Sequence, residues 1–140
     1  TGAELLIHAD DLALLQNARN HAEVYGLSVA VSPEPDRLLD QGDTFQVGEL
    51  AFSVSHVPGH SPGGICLLAE GHLFVGDVLF AGSIGRTDLP GGDFDSLIKG
   101  VRERLFTLPD ETIVHPGHGP DTTIGRERQS NPFVGDAAAR

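Results

Sequence analysis

A chain of 140 residues with 39% apolar side chains fits one domain and can bury roughly 68–70% of its unfolded surface. No apolar run approaches the roughly 20 residues of a membrane span, and 20 acids against 9 Lys and Arg, a net charge of −11, argue against a nucleic-acid partner. The single cysteine, Cys66, excludes an internal disulfide and suits a reducing, cytoplasmic compartment.

Residues 4–8 read as a short strand, followed by a helix over 11–25 in which Leu12, Leu15, Ala18, Ala22 and Tyr25 recur at helical spacing before Gly26. Residues 32–36, with two prolines, are a loop. Strands are expected at 44–47 and 50–57, joined through Gly48-Glu49. Leu50, Phe52 and Val54 share one face of the second strand and Ser53 and Ser55 the other, so His56 points with the apolar set toward a core layer. Apolar strands follow at 65–69 and 73–75 around Glu70-Gly71, and their continuous character predicts burial on both faces. Cys66 lies in the first of them and reads as a small buried hydrophobe. Phe94, Leu97, Ile98, Val101 and Leu105 predict a helix over 94–105 with Asp93 as N-cap. A short strand at 112–114 and a polar helix around 124–129 complete the chain. Strand pairs with interspersed helices point to an α+β fold in a single domain over residues 1–140.

One local arrangement recurs three times: a strand ends, a glycine follows, and the next residue is a metal-ligand type. The three are Val57-Pro58-Gly59-His60, Phe74-Val75-Gly76-Asp77 and Val114-His115-Pro116-Gly117-His118. Glycine permits the sharp backbone exit that a crowded site needs, and strand ends hold side chains more firmly than free loops do. Two imidazoles and a carboxylate suit Zn²⁺, with Fe²⁺ or Mn²⁺ as other candidates. The spacing is not that of a local helix motif, so His60, Asp77 and His118 must converge through the fold. A lone His in a Gly-Pro turn is more often structural than a ligand; three such instances in one small chain change that balance.

These segments, His56-Val57-Pro58-Gly59-His60-Ser61-Pro62-Gly63, Val75-Gly76-Asp77-Val78-Leu79-Phe80 and His115-Pro116-Gly117-His118-Gly119-Pro120, resemble motifs of the metallo-β-lactamase superfamily. Gly85-Arg86-Thr87-Asp88-Leu89-Pro90-Gly91-Gly92-Asp93 is similar to its glyoxalase II-like and persulfide dioxygenase-like branch. The resemblance implies a four-layer αβ/βα sandwich, of which this chain would supply the C-terminal two-thirds. It implies that His60 serves one metal, His118 a second, and Asp77 bridges them, with zinc expected at both. It also implies attack of a metal-held hydroxide on a carbonyl, often a thioester such as an acylglutathione. The family's His-x-His-x-Asp-His segment is missing here: no His-x-His occurs. The chain starts at Thr1 and contains no Met, so upstream residues are expected, and the 140 residues alone are expected to be inactive. A missing N-terminal segment or a dimer mate is expected to cover an exposed sheet face. For a glutathione tripeptide the chain offers Arg126, Arg128 and Arg140.

His56 and His115 read as hydrogen-bonding residues beside the ligands, and Arg86 with Asp88 as an ion pair fixing a loop near the site. His8, His21 and His72 read as ordinary strand, helix and turn residues. Gly59-His60-Ser61-Pro62-Gly63 also matches the Gly-x-Ser-x-Gly elbow of serine hydrolases, but the residue after Ser61 is a proline and lacks the N–H an oxyanion hole requires. A mononuclear-iron persulfide dioxygenase and a non-catalytic remnant of the fold are the remaining alternatives.

Overall fold

The computed structural model describes residues 2–17, 34–136 and 138. Expected features at residues 18–33, including most of the first helix, His21 and part of the proline loop, lie outside them. The chain opens with β1 (Leu6–His8), a 3₁₀ turn (Ala9–Asp11) and a short helix α1 (Leu12–Gln16). Strand β2 (Arg37–Leu39) pairs in parallel with β1 as a separate two-stranded sheet.

The main sheet has six strands in the order β10-β9-β6-β5-β4-β3. They are β3 (Thr44–Val47), β4 (Leu50–His56), β5 (Ile65–Ala69), β6 (His72–Gly76), β9 (Ile113–Pro116) and β10 (Thr122–Thr123). Between β6 and β9 the chain forms a small hairpin, β7 (Leu79–Phe80) and β8 (Ser83–Ile84), then helix α2 (Phe94–Gly100). Helix α3 (Ile124–Ser130) follows β10. The long excursion between β6 and β9 has a topological cause, because these two strands pair in parallel and a parallel pair needs a crossover.

The direction of each strand decides what the sheet can build. Strand β4 is antiparallel to β5, β5 is antiparallel to β6, and β6 is parallel to β9. Strands β4, β6 and β9 therefore run the same way, and their C-terminal ends lie at one edge. Those are the three ends that precede His60, Asp77 and His118.

One face of the sheet is covered. Cys66, Leu73, Val75 and Val114 pack there against Leu97, Val101, Leu105, Ile124 and Val134 from the helical segments. Asp93 and Thr123 start α2 and α3 by accepting the N–H of Ser96 and Arg126. Helix α2 does not continue as a regular helix to residue 105. From Val101 to Leu105 it widens into a π-helical turn, with Phe106 N–H bonded to Val101 O. Spacings of four drift around a 3.6-residue helix, and the wider turn keeps Leu97, Val101 and Leu105 all buried.

The opposite face corrects one expectation. Strand β6 alternates rather than being buried on both sides: Leu73 and Val75 are buried, whereas Phe74 is 41% exposed. Register places Phe74 beside Leu67 and His115, and Leu67 beside Val54. Leu50, Phe52, Val54 and His56 thus lie on the face away from the helix-covered core. That face carries an aromatic row in which Phe45 stacks on Phe52, Phe52 approaches Phe74, and Phe74 stacks on His115.

Candidate metal centre

Each chain exit at the sheet edge is shaped by its glycine. Gly59 has φ +141 and Gly76 φ +52, a region that favours glycine. A Cβ on Gly59 would lie 2.4 Å from that of Leu97, and one on Gly117 would lie 2.9 Å from Asp77 Oδ1. The loops are therefore drawn tightly against α2 and against the Asp77 carboxylate.

The structure brings His60, Asp77 and His118 together. His60 Nε2 is 3.4 Å from Asp77 Oδ2, and His118 Nε2 is 3.4 Å from Asp77 Oδ1, so each carboxylate oxygen faces one imidazole. The His60 and Asp77 side chains are partly buried (28% and 36% exposed), while that of His118 stands open at 79%. Phe80 flanks His118 with ring centroids 6.1 Å apart. His60 Nδ1 lies 2.9 Å from the Arg86 carbonyl. A carbonyl only accepts, so Nδ1 carries a proton, and Nε2 is the ring nitrogen that faces the carboxylate. Two imidazole nitrogens and both oxygens of one carboxylate are thus gathered at the sheet edge, donor types that a divalent cation accepts. His60 and His118 through Nε2, with Asp77 through its two oxygens, would hold such an ion, and imidazole with carboxylate is a set that suits Zn²⁺. The donor set fits a divalent metal.

The neighbouring residues fall into separate groups. Arg86 forms a two-point ion pair with Asp88, at 2.8 and 3.0 Å, which holds the Asp88 carboxyl below its ordinary range. His115 points away from the metal-type cluster, onto the aromatic face, where Nδ1 meets Asp121 at 3.2 Å and Nε2 meets His72 Nδ1 at 2.9 Å. His56 donates from Nε2 to the Pro62 carbonyl at 2.8 Å and stacks on His8 with centroids 3.8 Å apart. The Ser61 hydroxyl donates to Asp11 at 2.9 Å and has no bond to His118, which removes the serine-nucleophile arrangement. Cys66 is fully buried, and burial pushes its thiol far above the ordinary range, so it is no nucleophile either. Arg128 is committed to the carbonyls of Phe106 and Leu108 and to the Asp110 carboxylate, which leaves it unsuited to a substrate anion.

A second cluster was not expected. Ligand atoms of His8, Asp10 and His56 lie within 4.8 Å of one another, whereas the sequence suggested an ordinary strand position for His8. His8 ends β1 as His60 and His118 follow their strands, but without a glycine to draw attention to it. This group is less ready for a metal than the first. His8 Nδ1 already accepts the Asp10 N–H, His56 Nε2 is engaged with Pro62, and the rings are nearly parallel (15°), so their in-plane lone pairs do not converge.

The model of the metallo-beta-lactamase superfamily matches residues 3–118. The chain belongs to this superfamily. A relative named hydroxyacylglutathione hydrolase GloC, from Haemophilus influenzae, is 41% identical over 127 residues, covering 89% of this chain and 60% of the relative. Among solved structures, TTHA1623 in a di-iron-bound form superposes with a TM-score of 0.81 at 43% identity, over 94% of this chain and 65% of that one. ETHE1 from Myxococcus xanthus gives 0.71 at 34% identity, over 91% and 59%. The metallo-β-lactamase fold and its α+β character are thereby established for this superfamily member. The chain spans 39–65% of the length of the curated relatives it matches. Among the described residues no helix is long and apolar enough to cross a membrane.

Proposed function

We propose that this chain is the metal-bridging part of a dinuclear metal-dependent hydrolase acting on a thioester, with an acylglutathione as the leading substrate. The observation that carries the reading is the even division of Asp77, one oxygen toward His60 and the other toward His118. In this reading His60 and His118 are ligands to different ions and Asp77 is the bridge, with zinc as the expected metal and iron or manganese as substitutes. Bound metal would supply Lewis-acid polarisation of the carbonyl and an activated water. The chain's own contribution is to hold that donor set: the Arg86 carbonyl fixes which nitrogen of His60 faces inward, and the sheet edge fixes the spacing. A mononuclear-iron dioxygenase would need no such division of the carboxylate, and the two matching distances favour two ions.

The chain offers one imidazole per carboxylate oxygen, fewer ligands than a catalytic metal needs. We infer that the remaining ligands come from residues preceding Thr1, which also cover the face bearing Phe52, Phe74 and His115. The hydroxyacylglutathione hydrolase named among the relatives supports the thioester assignment. A cytoplasmic location belongs to the same reading, on the strength of one buried, unpaired cysteine. The test is elemental analysis and acylglutathione hydrolysis by the natural polypeptide that contains this chain. Two metal ions per chain with hydrolysis are expected, and both should be lost in Asp77→Asn. One ion, or none, together with no thioester cleavage would refute the reading.

A further inference from the structure

Asp11 stands at the N-cap of α1, where an aspartate ordinarily accepts an N–H from its own helix. It makes no such bond. Its two carboxylate oxygens reach across 50 residues of sequence to the loop that carries His60: Oδ2 accepts the Ser61 hydroxyl at 2.9 Å, and Oδ1 accepts the Gly63 N–H at 2.6 Å. The contact is close, since a Cβ on Gly63 would lie 2.6 Å from the Asp11 nitrogen and 2.7 Å from its carboxyl carbon. The Pro62 carbonyl, between these two anchors, is taken by His56. Asp11 and His60 line the same cavity of about 300 Å³, together with Asp77.

We propose that Asp11 is a positioning residue for the metal centre, acting through the Ser61–Gly63 turn to fix the backbone of His60. The proposal rests on the reading of His60 as a ligand. The two ends of that residue are then set independently. The ring is aimed by the Arg86 carbonyl at Nδ1, and the main chain is clamped from the other side by a carboxylate belonging to the β1–α1 segment. A carboxylate suits the task because both donors are met by one rigid group, and charge-assisted bonds are stronger than neutral ones. Releasing the turn lets His60 sample positions off the metal, which lowers affinity without removing a ligand.

The experiment is Co²⁺ titration of the metal-free natural polypeptide, following binding and the visible d–d bands, in the wild type, Asp11→Ala, Asp11→Asn, Ser61→Ala, His60→Ala and the double variant Asp11→Ala/His60→Ala. Asp11→Ala is expected to weaken Co²⁺ binding by roughly 10–100-fold and to shift the bands, as loss of an outer partner does. Asp11→Asn should recover most of that, since its carbonyl still accepts from Gly63 and its amide can donate to the Ser61 oxygen. Ser61→Ala, which leaves the Gly63 bond intact, should fall between. In the His60→Ala background, Asp11→Ala should add nothing further. Wild-type binding by Asp11→Ala alongside loss in His60→Ala would overturn the positioning role and leave the ligand role standing. Wild-type binding by His60→Ala would overturn both. An equal loss from Asp11→Ala with or without His60 would mark a general fold defect and also overturn it. Should Asp11→Ala not fold, an unchanged Ser61→Ala overturns it as well.

Discussion

The ring of His60 is aimed by the main-chain carbonyl of Arg86, 26 residues further along, which lies 2.9 Å from Nδ1. Because the contact uses the backbone, it does not depend on the Arg86 side chain, which makes a two-point pair with Asp88. On the proposed reading of His60 as a ligand, replacing Arg86 by Ala should leave metal binding nearly intact, while His60→Ala should not. Metal titration of the two variants side by side checks this, and a large loss in Arg86→Ala would contradict it.

The same pair gives a pH prediction. The Arg86 guanidinium lowers the Asp88 carboxyl from its ordinary value. A depressed carboxyl contributes stability that is present above its unfolded pKa and disappears as pH falls through the folded value. The stability difference between wild type and Arg86→Ala should accordingly be present at neutral pH and vanish on acidification below the Asp88 titration. NMR titration of the Asp88 carboxyl should show its midpoint rising toward the ordinary carboxylate range in Arg86→Ala. An unmoved midpoint would show that the pair is not the cause.

Sequence periodicity reached most strands of the main sheet and the three glycine exits, because alternation, turn residues and strand-end glycines are local signals. What it could not reach was direction. That β4, β6 and β9 run the same way follows from the antiparallel pairings through β5 together with the crossover between β6 and β9, and this brings His60, Asp77 and His118 to one edge. The both-face burial expected of β6 failed at Phe74, since apolar content does not say which side a neighbouring layer occupies. Asp11 and His8 were illegible for a related reason. Ser61, which Asp11 holds, is 50 residues away and His56, which stacks on His8, is 48 away, and nothing around Asp11 distinguishes a loop clamp from an ordinary N-cap.

The aromatic row on the open face makes a prediction about the 140 residues produced alone. Phe74 and Ile113 are 41% and 38% exposed, and Phe45 and Phe52 extend the same surface. A contiguous apolar face of this kind associates or binds hydrophobic dyes. The isolated chain should bind anilinonaphthalene sulfonate and elute larger than a monomer, and Phe74→Glu should reduce both effects. A sharply folding, dye-free monomer would contradict the proposal that upstream residues cover this face.

Glu127 offers a test of how α3 holds the hairpin β7–β8 that leads into the Arg86 loop. Its side chain is buried, at 1% exposure, with no basic group among its hydrogen-bond partners. Oε1 accepts from the Gly82 N–H and from Asn131 Nδ2, and Oε2 accepts from the Thr122 hydroxyl at 2.5 Å. Three donors converge on one carboxylate, so Glu127→Ala leaves all three without their acceptor and should cost about 3 kcal/mol or more in denaturant unfolding. Glu127→Gln should cost far less, roughly 1 kcal/mol or under, because its oxygen keeps Gly82 and Asn131 while its amide donates to the Thr122 oxygen, which can turn to accept. Equal losses in the two variants would mean that the negative charge itself, rather than the convergence of acceptors, holds the hairpin to α3.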